Sequence, residues 1–394
     1  MKNLTVRYSV TQFSHWAASS GAAAFATTYL LEKGIAPGVV GVLLALAGLA
    51  SCFTQPILAG LADRAGDFIL GRLLIGLSVF SGCCYLLQLI PGLPLWLIAL
   101  CYGLGIWSSD VMSPLLNALS VACNEGGCPI NYGAARAVGS VASAVSTLVL
   151  GYVLAKLGSA WMLIFLLVPR LCCIAALLGF PRLARRTVSE KAEATASIPV
   201  FFRKYPVYCV SLLGIAFLGM YHAMTENFLV AILGALGGDS SHVGTALFIS
   251  SMVGALTIFF FSKIRTLARD TTLLKIAALS FLLKAVCFCF AGSISTIYVL
   301  QLLQITSYGL LAPAQVYYAQ ARVSKSDMVK GQAFITAAYA LGCSGGNFAG
   351  GQLLGIGVRA LLLAGVGMAL AGTCILFATA DRPEARQEVC AVSR

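Results

Sequence analysis

The chain is a succession of long apolar blocks separated by short polar joints. Twelve blocks reach bilayer-spanning length: 6–31, 39–62, 72–90, 95–119, 132–156 and 159–180, then 207–233, 243–262, 273–291, 296–319, 331–354 and 359–379. A helix rising 1.5 Å per residue needs roughly 20 apolar residues to cross about 30 Å of hydrocarbon, so each block predicts one transmembrane helix. The stretch 181–206 between the two sets of six carries Arg182, Arg185, Arg186, Glu190, Lys191, Glu193, Arg203 and Lys204, and is polar enough to lie in water. The pattern predicts an all-α, polytopic membrane protein of twelve transmembrane helices in two six-helix bundles, 1–180 and 207–394, the second ending in a short polar tail. Such halves often derive from duplication. No residue-level repeat is strong enough to prove it from the letters alone.

Composition agrees with the pattern. Of 394 residues, 59% are hydrophobic and 10% charged, with a mean hydropathy of +0.90. A soluble domain carries about 25% charged residues, so most of this surface must face something other than water. Most of the fourteen cysteines sit in apolar runs (Cys83, Cys84, Cys172, Cys173, Cys287, Cys289), where the residue acts as a small hydrophobe. Neither they nor the three histidines have metal-ligand spacing, and no metal or cofactor is expected. The net charge of +12 is scattered between apolar blocks rather than gathered in a patch, which argues against a nucleic-acid partner. The first block is long and lacks a small-residue cleavage site, so no cleavable leader is expected.

Placing the N-terminus in the cytoplasm puts 20 of the 26 basic residues on that side, leaving Lys33, Lys156 and Arg359 outside and Arg136, Arg170 and Lys284 within spans. That asymmetry predicts an inner-membrane protein with both termini cytoplasmic.

A charge at the bilayer centre costs about 2.5–3.5 kcal/mol or more, so each one inside a span needs a reason. Arg136, Arg170, Lys284, Asp110 and Glu226 are such charges, and His15 and His222 join them when protonated. Tyr8, Gln12, His15 and Ser19 form one polar stripe on the first helix, as beside a water-filled cavity; helix–helix hydrogen bonding is the alternative. Asp110, Pro114 and Asn117 share a face of the fourth, where Pro114 frees a carbonyl and favours a kink. His222 and Glu226, four residues apart, can face each other, and a desolvated carboxylate beside an imidazole suits proton exchange. Asp110 is a further proton-coupling candidate. Gln301, Gln304 and Tyr308 make a polar face in the tenth helix. Gly342, Gly346 and Gly350 recur at four-residue spacing, which lets helices approach closely.

After the second block the chain reads Thr54-Gln55-Pro56-Ile57-Leu58-Ala59-Gly60-Leu61-Ala62-Asp63-Arg64-Ala65-Gly66. Asp63 and Arg64 end a helix at the membrane surface and Gly66 permits a tight turn, a combination that suits a conformational latch; an ordinary polar turn would look the same. This segment resembles the signature loop of the major facilitator superfamily. Gln55-Pro56 resembles the branch around the lactose, phenylpropionate and nucleoside permeases, although Ala59 replaces the usual first Gly and Asp67 stands where a basic residue is common. Tyr132-Gly133-Ala134-Ala135-Arg136-Ala137-Val138-Gly139-Ser140 resembles the start of the fifth helix in that branch. There the Arg binds substrate, a role the resemblance passes to Arg136. The neutral Asn117 stands where lactose permease has the acidic partner of that Arg, and Lys284 falls where related permeases carry a ninth-helix cation. The branch's tenth-helix relay of Lys, His and Glu is missing.

The resemblance implies a secondary transporter working by alternating access. Its substrate site is expected at Arg136, Asp110, Asn117, His15, Gln12 and Gln304, its proton coupling at Glu226, His222 and Asp110, and its latch at Asp63, Arg64 and Gly66. Three buried cations against two carboxylates suit a polar or anionic solute such as a sugar, nucleoside or aromatic acid, carried with a proton. The expected partners are that solute, H+ and the lipid bilayer, for a protein acting as a monomer. A drug–proton antiporter is the nearest rival, but its fifth-span Gly-Pro pair is missing from 139–151. An uncoupled facilitator also remains open. An intramembrane enzyme would need an HExxH or GxSxG motif, neither of which stands in the spans, and a receptor would lack an output domain.

Overall fold

In the computed structural model, residues 4–65, 67–180 and 198–383 are described, the side chains of 59, 62–65, 67–69 and 326 excepted. Gly66, most of the linker (181–197) and the C-terminal tail from 384 lie outside the described residues. All regular structure among the described residues is helical. The first half runs α1 (Leu4–Ala24), α2 (Ala26–Glu32), α3 (Pro37–Ala65), α4 (Asp67–Leu87), α5 (Leu95–Glu125), α6 (Tyr132–Leu157) and α7 (Ala160–Leu178). After the short α8 (Ile198–Lys204) come α9 (Pro206–Glu226), α10 (Leu229–Gly234), α11 (Ser240–Ile264), α12 (Asp270–Cys289) and α13 (Ile294–Gln301). A 3-10 turn (Leu302–Ile305) then leads to α14 (Tyr308–Arg322), α15 (Met328–Ile356) and α16 (Val358–Thr379).

Ten of these segments are long and apolar enough to cross a membrane, with α13, its turn and α14 forming one of them. α1 has 21 residues and α15 has 29, enough to span. Polar side chains on the first and glycines on the second dilute their hydropathy. Every expected block is therefore helical. Large apolar side chains face outward, with Phe53 at 69% and Phe259 at 76% exposure, as lipid-facing positions do.

The chain divides into two compact units, Met1–Ser189 with Asn227–Ser251, and Glu190–Glu226 with Met252–Arg394. In the first, α1 packs on α6 and α7, and α4 on α5 and α7. In the second, α9 packs on α15 and α16, and α12 on α14 and α16. The pairings match helix for helix. So do the turns: Phe25 interrupts the first helix at φ −110° and ψ 13°, and Phe228 interrupts its counterpart at φ −110° and ψ 17°. Gly34 and Gly237 both take left-handed φ, 86° and 78°, which favours glycine. Helices then start at Pro37 and Ser240, and the next at Asp67 and Asp270. Each of these pairs is the same interval apart in sequence, so a repeat that side-chain identities conceal survives in the turn chemistry.

Glycines bring helix backbones into contact within each unit. A Cβ on Gly342 would lie 2.1 Å from the Ala216 carbonyl oxygen, and one on Gly346 2.2 Å from that of Met220. Gly350 is buried on the same helix. The expected small-residue face of the eleventh span is thus the seam between α15 and α9. Gly151 and Gly244 form a similar contact in the first unit.

At the linker end of the second unit, Asp327 precedes α15 without capping it. Its carboxylate instead accepts from Lys204 Nζ at 2.6 Å and Tyr205 OH at 3.0 Å. The Tyr205 hydroxyl oxygen also lies 2.8 Å from Ser324 Oγ. The Lys204 ammonium holds the Asp327 carboxyl below its usual range, and Asp327 raises Lys204 in return. A depressed carboxyl stabilises the fold above its unfolded pKa, and that contribution disappears as pH falls through the folded value.

Gly346→Leu should therefore destabilise the protein by about 1–3 kcal/mol or more, while Gly355→Leu, with open space around it, should be silent in a melting assay in detergent. Asp327→Asn should cost about 1 kcal/mol at pH 7, because Lys204 is partly solvated, and the difference from the wild type should shrink on acidification into the carboxylate range.

Candidate functional site

Each unit holds a cluster of polar side chains within its helices. In the second unit α9 delivers Glu226 at its last residue, α12 delivers Lys284, and the 3-10 turn after α13 delivers Gln304. Lys284 Nζ donates to Glu226 Oε1 at 2.9 Å and to Gln304 Oε1 at 3.1 Å, while Ser307 Oγ donates to the same Gln304 oxygen at 3.2 Å. Side-chain exposure is 2% for Lys284 and 12% for Glu226, so the cation is sealed and the carboxylate keeps an opening. Gln301 is wholly buried beside the Glu226 carboxylate.

An aromatic group drawn from α9, α12, α14 and α15 includes residues of the same two helices, α9 and α12. His222 stacks on Tyr308 with centroids 4.9 Å apart and planes 14° from parallel. Phe281 meets the imidazole edge-on at 5.9 Å, and Tyr339 of α15 stands 6.3 Å away. The arrangement combines a neutralised ion pair, a wholly buried amide and flat faces of the kind that stack planar rings.

In the first unit α1 carries a ladder. Trp16 Nε1 donates to Gln12 Oε1 at 2.9 Å, Gln12 Nε2 to the Tyr8 hydroxyl at 2.7 Å, and Tyr8 OH to the Leu116 carbonyl at 2.9 Å. Arg136 covers the Trp16 ring at 4.3 Å and donates to Ser140 Oγ at 3.1 Å. On α7, Arg170 is 1% exposed and donates to Ser109 Oγ and, at 3.6 Å, to Met112 Sδ, leaving Nε without a partner. Asp110 lies within electrostatic reach of Arg170. His15 is 1% exposed, both ring nitrogens unpartnered, edge-on to Trp16 at 5.5 Å.

The sequence-derived candidates separate accordingly. Gln12 and Arg136 are joined through Trp16, and Glu226 and Gln304 through Lys284. No hydrogen bond joins His222 to Glu226: the carboxylate turns to Lys284 and the imidazole to Tyr308. Asn117 is exposed and accepts from the Tyr132 hydroxyl at 3.2 Å. Gly66 and the side chains of Asp63 and Arg64 lie outside the described residues. Sequence reasoning left open the partner of Lys284 and whether Arg170 pairs with Asp110 or faces a lipid-side defect, and passed over Trp16, Phe281 and Tyr339. An isolated cation in each half was the available signal for the first two; nothing in the spacing distinguished the aromatic residues from core. Among the described residues no group of His, Cys, Asp or Glu could hold a metal ion.

Removing Lys284 alone strands a carboxylate among helices. Lys284→Gln should therefore cost about 3–5 kcal/mol in detergent melting, and adding Glu226→Gln should restore most of the loss.

The chain from residue 5 to 362 matches the model of the MFS_1 like family. Its fold is similar to the nucleoside transporter NupG, with TM-score 0.85 and 13% identity over 96% of this chain and 100% of that one. A bacterial homologue of the iron transporter ferroportin, in an inward-facing state, gives 0.74 and 10% over 97% and 100%. An auto-inhibited peptide transporter of the POT family gives 0.71 and 11% over 96% of each chain. No curated protein matches the chain. At these identities the solved structures establish the fold alone, whereas the family model spans most of the sequence. With twelve helical segments in two like-built sets, this multi-pass membrane chain belongs to the MFS_1 like family of transporters.

Proposed function

We propose that the chain carries a small polar or anionic solute (a sugar, nucleoside or aromatic acid) by alternating access, together with a proton, across the inner membrane, with both termini cytoplasmic. The halves 1–180 and 207–394 are the moving bodies, and Asp63, Arg64 and Gly66 form the latch. The observation that carries the reading is the Lys284–Glu226–Gln304 triad. A proton on Glu226 removes the charge that holds Lys284, and the released ammonium then seeks another acceptor in a low-dielectric setting. An anionic or hydroxyl-rich solute supplies that acceptor, so proton and solute favour each other's binding. When the solute leaves, Lys284 recaptures Glu226 and the proton is expelled. The faces of His222, Tyr308 and Tyr339 suit a planar moiety on the solute. In the other half, Arg136, Asp110, Asn117, His15 and Gln12 provide the remaining polar contacts.

Protein reconstituted in liposomes should accumulate solute under an inward pH gradient, after a ligand-stabilisation screen over sugars, nucleosides and aromatic acids has supplied one. Glu226→Gln should exchange solute across the bilayer yet lose gradient-driven accumulation by tenfold or more. Arg136→Ala should abolish solute binding. Equal uptake with and without the gradient in the wild type would remove proton coupling, and unchanged affinity in Arg136→Ala would remove that residue from the site.

A further inference from the structure

The turn from α11 to α12 lies at the end of the second unit where the linker enters. Three cations stand there within seven residues, Lys263, Arg265 and Arg269, against one carboxylate, Asp270. Arg265 is already committed. Its Nε and Nη2 donate to the two Asp270 oxygens at 2.8 and 3.1 Å, and its guanidinium lies 3.9 Å over the Tyr317 ring of α14. That stacking fixes the wall of an open cavity of about 340 Å³, lined by Ser262, Arg265, Thr266, Ala268, Arg269 and Asp270. With Arg265 and Asp270 neutralising each other, two charges remain. The Arg269 side chain has no hydrogen bond or ion pair among the described residues, and that of Lys263 has only the Phe260 ring, 5.7 Å away.

The surroundings are not those of a cytosolic anion site. Phe259, one turn before Lys263, is 76% exposed, and Leu267, within the turn itself, is 83% exposed. Uncompensated cations beside a cavity favour a phosphate. Large apolar side chains standing clear of the protein favour hydrocarbon. A soluble phosphate satisfies the first requirement alone, whereas an anionic phospholipid satisfies both with one molecule.

We propose that the α11–α12 turn binds the headgroup of an anionic phospholipid, with Arg269 and Lys263 on the phosphate and the acyl chains along Phe259 and Leu267. The Arg265–Asp270–Tyr317 stack is the rigid wall of the cavity that Arg269 lines, and Lys263 follows the lining residue Ser262 in sequence. The site stands apart from the Lys284 triad and is independent of what the protein carries.

The test is retention of added lipid by delipidated protein, read by native mass spectrometry. Dioleoylphosphatidylglycerol and dioleoylphosphatidylcholine are offered at equal concentration, each with and without millimolar inorganic phosphate. The wild type should hold the phosphatidylglycerol selectively, and phosphate should not displace it. Arg269→Gln and Lys263→Gln should each weaken retention about fivefold, and the double variant about 25-fold. Both positions are exposed, so melting temperatures should remain near that of the wild type. Arg203→Gln, which removes an exposed cation from α8, should leave retention unchanged. Equal retention of the two lipids, or an equal loss in Arg203→Gln, would show diffuse charge attraction and overturn the site. Displacement by inorganic phosphate would overturn the lipid assignment.

Discussion

Hydrocarbon offers polar groups nothing to bond, so those that a helix carries into it draw their partners from the protein itself. This requirement organises the interior of both units. Lys284 is met by Glu226 and Gln304 from two other segments. Gln12 is spent on both its neighbours along α1, and the last hydroxyl of that ladder reaches a carbonyl of α5. A polar stripe on a spanning helix can therefore be a packing device as well as a cavity wall. In α1 Tyr8 and Gln12 hydrogen-bond within the protein, while His15 stays buried with no partner.

Association of spanning helices cannot draw on the hydrophobic effect, because lipid tails are as apolar as the side chains they would replace. Close backbone contact takes its place. The seam between α9 and α15 is set by Gly342 and Gly346 against the carbonyls of Ala216 and Met220. α9 bears His222 and Glu226, and α15 bears Tyr339, so this tight seam also fixes the distance between the ion pair and the ring faces. At the end of the same two helices, Asp327 forgoes capping α15 in order to hold Lys204 and Tyr205. The two contacts restrain opposite stretches of one helix pair.

The sequence made the fold legible because span length is a property of consecutive residues. Blocks 207–233 and 6–31 each proved to be a long helix and a short one, broken at Phe228 and Phe25, and hydropathy has no means of registering that break. The repeat escaped notice for a related reason: what the halves share is the position of a left-handed glycine and of helix starts, while the side chains that face lipid are free to differ. Partner choice was less legible. Four-residue spacing predicts that His222 and Glu226 share one face of the helix. A cation on another helix, Lys284 of α12, holds the carboxylate, and no local pattern encodes that competition. Lys284 was visible as an oddity, but its counter-charge lies 58 positions away.

Two signals that looked separate in the sequence turn out to be one interaction. Pro114 cannot donate to the carbonyl four residues before it, which belongs to Asp110. That oxygen accepts instead from Gln55 Nε2 at 3.2 Å, the glutamine of the Gln-Pro pair that precedes the surface loop. Trp107 Nε1 donates to Thr54 Oγ1 at 3.3 Å and ties the same two helices a turn away. The proline in α5 thus creates an acceptor, and the neighbouring helix supplies the donor. Pro114 and Gln55 have to be read together, since a proline here without the glutamine would leave a bare carbonyl beside a half-buried aspartate. The backbone that presents Asp110 is accordingly held from α3, the helix that ends at the loop, and a shift of that helix would bear directly on the acid.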